Sequence, residues 1–190
     1  MRWYDFGPLW PRQHAERWIL GYATAFVLTY WLNVGIRDFF QVIPNFIYLI
    51  YLPAFVRVVA VATGGLAGAF GVGLGHLVTQ LVFKDQALVV TLLSVGMSML
   101  AAILALLIVR KMHPNVEINA CPQCLLALAL LICLLNVSSR ALVWQLTGDA
   151  TPAPTFESLV YLFMGNLGGV LVGYLVLRFI LLAWKSRASW

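Results

Sequence analysis

The chain has 190 residues, 62% of them hydrophobic and only 10% charged, with a net charge of +5 and a mean hydropathy of +0.91. Soluble domains average about 25% charged residues, so this composition excludes a water-soluble globular protein and indicates an integral membrane protein. The basic residues collect at the ends of apolar runs, where they report topology rather than affinity for nucleic acid.

Met1–Arg17 (MRWYDFGPLWPRQHAER) is aromatic and charged and lacks the compact apolar core and small-residue cleavage site of a signal peptide. Residues 1–17 are expected to form a cytoplasmic segment lying along the membrane interface. A spanning helix needs roughly 20 apolar residues. On that measure residues 18–184 form a transmembrane domain with spans near Trp18–Gly35, Asn45–Ala62, Leu66–Phe83, Ala87–Val109, Leu125–Trp144 and Leu159–Trp184. Residues 185–190 remain as a cytoplasmic tail. The expected fold is all-α, a polytopic bundle of about six transmembrane helices with both termini inside.

Charge asymmetry supports that count. The inner side carries Arg2, Arg12, Arg17, Arg110, Lys111, Lys185 and Arg187. The outer side has Arg37 and Lys84, each followed by an aspartate, together with Asp149 and Glu157. Only Thr63–Gly65 separates the second and third apolar runs, so a tight hairpin is expected there, because an odd number of spans breaks the charge pattern.

Arg57 is the first candidate for function. It is the only charge in Ile47–Gly64 (IYLIYLPAFVRVVAVATG), four residues after Pro53. A guanidinium in the apolar slab costs roughly 2.5 to well over 10 kcal/mol, depending on how it is measured. It should therefore face a protein interior, a cavity or a bound anion, unless it snorkels to the inner headgroups. Pro53 is expected to break the helical ladder one turn earlier and free a carbonyl near Arg57. No acidic residue lies mid-span, so the expected partners are carbonyls, Asn136, Asn166, Tyr48, Tyr51 or an anionic ligand.

The third span carries Gly64, Gly68, Gly71 and Gly75 at three- and four-residue spacings, a small-residue face that lets a neighbouring backbone approach. His76 and Gln80 follow at i, i+4 and share a helix face near the outer end. Arg140, one turn after Asn136, lies near the outer end of the fifth span, where Glu157 is expected to pair with it or an outer-facing site is shared with His76 and Gln80. Ligand-binding candidates are thus Arg57, Pro53, Tyr51, His76, Gln80, Asn136, Arg140 and Asn166.

Cys121-Pro-Gln-Cys124 starts a helix, a position that can lower a thiol pKa or supply two thiolate metal ligands. Zinc wants four ligands, and only His113 and Glu117 lie nearby. These are therefore read as incidental thiols on the cytoplasmic side, with Cys121 and Cys124 left as the weak candidates for a metal, and Cys133 as a small buried hydrophobe. Trp3, Trp10, Trp18, Trp144, Trp184 and Trp190 fall near the expected interfaces, as an aromatic belt requires. No nucleophile elbow, phosphate loop or paired-carboxylate site is present, so neither an enzyme nor a cofactor is expected.

Leu52-Pro53-Ala54-Phe55-Val56-Arg57, the glycine-rich Gly64–Gly75 segment, Ser94–Arg110 and Met164–Leu177 (MGNLGGVLVGYLVL) resemble the first-type membrane-associated sensor (MASE) domain. Asn166 stands where that family usually has an acid. The resemblance covers residues 45–182 in pattern and implies a sensor that feeds an output module or a partner. In size, span number and the texture of its small-residue helices, the chain is also similar to the substrate-binding S component of energy-coupling-factor transporters. A third expectation is an accessory subunit of a larger membrane assembly. The expected partners are a lipid bilayer, in a bacterial inner membrane, other membrane proteins and a small-molecule ligand, with no nucleic acid.

Overall fold

The computed structural model describes residues 14–43, 47–84, 86–114, 116–118, 121–148 and 155–187. Of the expected N-terminal segment, residues 1–13 lie outside this set, as do Trp3, Trp10 and Trp190. Five long helices dominate: α1 (Ala15–Phe40), α2 (Pro53–Phe83), α3 (Leu88–Met112), α4 (Pro122–Thr147) and α5 (Phe156–Arg187). Two very short strands, β1 (Gln41–Ile43) and β2 (Ile47–Tyr48), pair antiparallel between α1 and α2, with Gln41 opposite Tyr48 and Ile43 opposite Ile47.

The helix ends follow their local chemistry. Pro53 opens α2 and Pro122 opens α4, where a missing N–H removes a donor that had no helical partner. The Thr155 hydroxyl accepts the Ser158 N–H at 3.1 Å and caps α5. Gly148, with φ 65°, ends α4 in the left-handed conformation. Arg110 and Lys111 occupy the last turn of α3, where their charge complements the helix dipole.

Five helices are long and apolar enough to cross a bilayer, as in a multi-pass integral membrane protein. This corrects the expectation of six separate spans. The second expected span, drawn from Asn45, begins instead at Pro53 and runs into the third within α2. Pro53 consequently breaks no helix and frees no carbonyl. Its preceding residue is anchored by the buried Asn33 of α1, whose Oδ1 accepts the Leu52 N–H at 2.9 Å. The last expected span is longer than drawn, since α5 continues through Lys185 to Arg187. The C-terminal tail is therefore partly helical.

α2 is not straight. Gly65 has φ 56° and ψ −128°, outside any helical region and costly for a residue with a Cβ. A methyl group added at Gly68 would lie 1.9 Å from the Ala60 carbonyl oxygen. Eight residues along a straight helix span about 12 Å, so the chain folds back on itself at Gly65. The partners on α1 agree. Going from Tyr22 to Phe26 to Asn33, α1 meets Gly64, then Arg57, then Leu52. Beyond Gly65 the order reverses: Gly71 meets Ile19, and Gly75 meets Ala23 and Phe26. The two halves of α2 therefore run antiparallel beside α1, and the Tyr22 hydroxyl closes the apex on Thr63.

This hairpin is the centre of the molecule. In the apolar windows of the helices, 67% of α2 is buried, against 11% of α5. Val58, Val61 and Ala69 of α2 pack with Ala102, Ala105, Leu106 and Val109 of α3 and with Leu128 and Ile132 of α4. Leu81, Leu92, Leu134 and Leu146 point outward and are exposed, as lipid-facing side chains should be. Trp144, expected in an interfacial belt, is instead 6% exposed, tucked under Arg140. Trp18 and Trp184 are exposed.

Candidate functional site

The fold-back at Gly65 brings Arg57 and His76 together. Nineteen residues of straight helix would separate them by about 28 Å. Instead both stand against Phe26, the Arg57 guanidinium carbon 5.9 Å and the His76 ring 5.8 Å from the phenyl centroid. Phe26 is fully buried and gives the cation an aromatic face in place of water.

From this point a polar cavity of about 60 Å³ extends between α1, α2, α4 and α5, lined by Tyr30, Tyr51, Arg57, His76, Gln80, Lys84, Asn136, Arg140, Leu162 and Asn166. Seven of the eight expected ligand residues line it; Pro53 does not, and serves only as the first residue of α2. Arg57 had been expected on the inner side, apart from an outer group around His76. The structure joins the two groups, because each half of α2 contributes one. A one-water cavity requires roughly 10–15 Å³, so 60 Å³ holds about four waters or a polyatomic ion of four or five heavy atoms. A pocket of about 10 Å³ adjoins it, sharing His76, Asn136 and Arg140 and reaching Ser94 and Ser98 of α3.

The walls are held by hydrogen bonds both within the lining and to residues behind it. Tyr51 precedes α2 in an irregular segment whose backbone N–H donates to the Gly165 carbonyl at 2.9 Å, tying it to α5. Gln80 Nε2 lies 2.8 Å from His76 Nε2, so the i, i+4 pair acts as one unit. Ser98 Oγ donates to Asn136 Oδ1 at 3.0 Å, leaving the amide NH₂ as the group Asn136 presents elsewhere. Asn166 Nδ2 donates to the Leu162 carbonyl one turn back at 2.8 Å. Arg140 stands 5.5 Å over the Trp144 ring.

The charges among the described lining residues are all positive. Arg57 is 2% exposed, and Arg140 lies within electrostatic range of Arg57, His76 and Lys84. Lys84, just beyond the end of α2, has its amine pushed down to about 7, first by burial and then by the Arg140 charge. No carboxylate occurs among the described lining residues. Glu157, expected beside Arg140, is exposed at the start of α5 and is not among the described ion pairs. Four buried polar atoms of lining residues have no hydrogen-bond partner among the described residues: Arg57 Nε, His76 Nδ1, Gln80 Oε1 and Asn166 Oδ1.

Three lining residues were not foreseen. Lys84 was read as a topological charge, and Tyr30 and Leu162 carried no sequence signal. Tyr48 lies in β2. The glycines expected on a packing face meet their neighbours closely: Gly64 the Tyr22 ring, Gly68 the Ala60 backbone, and Gly71 and Gly75 the α1 backbone. Cys121 and Cys124, expected as separate thiols, are joined in a disulfide with Cα atoms 5.2 Å apart. Cys121 caps α4 and accepts the Cys124 N–H, and that single turn brings the two sulfurs together. Cys133 is free and buried.

No protein-family model, no curated protein and no solved structure matches this chain.

Proposed function

We propose that this protein is a membrane-embedded binding domain that takes a small anion into the cavity between the α2 hairpin, α4 and α5 and acts through a partner rather than by catalysis. The observation that carries this reading is Arg57: nine-tenths or more buried, its Nε without a partner, in a cavity with two more cations and no described carboxylate. Burying a guanidinium costs several kcal/mol unless a counter-charge and hydrogen bonds compensate it, and gathering further cations around it adds repulsion. A bound anion offsets both.

The same reading takes α2 as a transmembrane hairpin. The hairpin then enters and leaves on one side of the bilayer, which leaves both termini on the cytoplasmic side; the reversal at Gly65 and the basic inner segments support this. Lys84, at the end of α2, then lies on the outer side. A sensor domain and the binding subunit of a transporter would both use such a cavity. A partner is suggested by α5, whose second half, Tyr174–Trp184, is exposed along its length and apolar apart from Arg178.

Thermal unfolding of the purified protein in phosphatidylcholine nanodiscs, followed with small sodium salts at constant ionic strength, tests the proposal. A ligand at about 100 times its Kd adds roughly 2.7 kcal/mol of stability. A saturable rise in Tm is expected, and Arg57→Met should abolish it. Met is close in volume, and replacing a buried ion by an apolar side chain is often tolerated. An Arg57→Met protein that responds to anions as the native chain does would refute the proposal. Mass spectrometry of proteins that co-purify in mild detergent separates the two classes, since a transport subunit should bring an ATP-driven module with it.

A further inference from the structure

The four unpartnered atoms around the cavity do not all ask for negative charge, and this narrows the ligand. Arg57 Nε is a donor, but Asn166 Oδ1 is an acceptor. Its orientation is set by Asn166 Nδ2, which donates to the Leu162 carbonyl; turning the amide over would set two carbonyl oxygens against each other. The His76–Gln80 pair gives one donor and one acceptor whichever tautomer it holds. If Gln80 Nε2 donates to a bare His76 Nε2, then Gln80 Oε1 remains an acceptor and His76 Nδ1–H a donor. With the amide reversed, the roles exchange and the sum is unchanged.

The cavity therefore combines the buried Arg57 guanidinium with two buried acceptors. A bare anion satisfies Arg57 and leaves both acceptors facing negative charge. A metal cation or ammonium satisfies the acceptors and meets the Arg57 charge. A ligand that is negative and also brings a donor hydrogen satisfies Arg57 and, through its O–H, one of the acceptors, and the volume limits it to about four or five heavy atoms.

We infer that the cavity selects a small oxoanion bearing a hydroxyl, such as hydrogen phosphate, bicarbonate or a short hydroxycarboxylate, with Arg57 on its charged oxygens and either Asn166 or the His76–Gln80 pair accepting its O–H. This inference rests on the anion-binding function proposed above. The recognising chemistry is shared by a free anion and by the phosphomonoester headgroup of a lipid.

Matched anions provide the test, using the full chain in phosphatidylcholine nanodiscs: hydrogen phosphate against sulfate, glycolate against acetate and bicarbonate against nitrate. Apparent Kd values come from the rise of Tm with concentration, after subtraction of the response of Arg57→Met, which removes general salt effects. The hydroxyl-bearing member of each pair should bind at least about tenfold more tightly, the cost of leaving a buried acceptor unpaired. Asn166→Leu or Gln80→Leu, whichever removes the acceptor that takes the O–H, should reduce that preference to nearly one while sulfate and acetate bind as before, and a preference left intact by both variants would overturn the inference. Equal affinity within each pair would overturn the hydroxyl inference and leave the anion proposal standing. Failure of all six anions to bind would overturn both. Nanodiscs containing phosphatidic acid identify the source: a lipid ligand would occupy the site and abolish the response to free phosphate, whereas a free anion would still be seen.

Discussion

The substitution Gly68→Ala probes the feature on which the site depends. In a straight α2, Gly68 would be surrounded only by its own helix, and alanine would stabilise it by roughly 0.5–1 kcal/mol. In the folded-back α2, the new methyl lies 1.9 Å from the Ala60 carbonyl oxygen and 2.4 Å from its carbon. Real Cβ atoms essentially never approach closer than 3.0 Å, so the two halves must part by about 1.1 Å against backbone that has no rotamer to yield. Overpacking of this kind typically costs about 1–3 kcal/mol, and a backbone clash falls at the upper end. Because Arg57 and His76 sit on opposite halves, the same displacement opens the cavity. Thermal unfolding in nanodiscs should show a clear fall in Tm, together with loss of the anion-dependent stabilisation. Gly96→Ala, with nothing within 4 Å of the added methyl, is the control and should be neutral or stabilising. If Gly68→Ala is as stable as Gly96→Ala, the hairpin and the site built on it are wrong.

Three further outcomes are expected. Gly65→Ala places a Cβ at φ 56°, ψ −128° and should destabilise the protein by about 1–3 kcal/mol in the same unfolding assay, with no effect expected only if α2 is straight. Lys84 lines the cavity together with Arg140, Arg57 and His76, and its amine is held down at about 7, first by burial and then by the Arg140 charge. In the ligand-free protein this lowered value costs the folded state as pH falls from the ordinary 10.5 towards 7, the window in which the unfolded chain takes up the proton first. An anion favours the protonated amine, so glycolate affinity should be greatest below pH 7 and fall by up to about tenfold per unit above it. Lys84→Met should flatten that profile, and an unchanged slope would remove Lys84 from the site. Finally, the Cys121–Cys124 disulfide leaves Cys133 as the free cysteine. Mass spectrometry of denatured, alkylated protein should show one adduct without reductant and three with it, whereas three adducts in both samples would mean that the pair is not bonded.

Much of the architecture was legible because hydrocarbon imposes a simple rule. Each membrane-crossing segment must satisfy its own backbone, so long apolar runs become helices, and α1, α3, α4 and most of α5 lie where those runs lie. The rule fails before Pro53. Residues 41–52 are as apolar as a span, yet Gln41–Ile43 and Ile47–Tyr48 form the short strand pair, and residues 49–52 an irregular segment whose Leu52 and Tyr51 N–H groups are taken by Asn33 and Gly165. Composition cannot distinguish a lipid-facing helix from a backbone whose hydrogen bonds are satisfied by neighbouring helices. Trp144 failed for a similar reason: its position along the chain suggested an interface, but the rotation of α4 turned it beneath Arg140.

By itself the sequence determined that this is a membrane protein, that Arg57 needs a partner inside it, and which polar side chains are rare enough in their spans to matter. These follow from composition and from the cost of placing a polar group in hydrocarbon, both of which are local quantities. Only the tertiary structure decided that Arg57, His76, Gln80, Asn136, Arg140 and Asn166 line one cavity, that Tyr30, Lys84 and Leu162 join them, and that two buried acceptors share it with the buried Arg57. That grouping depends on a reversal at one glycine and on helices brought together from distant parts of the chain, and spacing along a single helix carries no record of either.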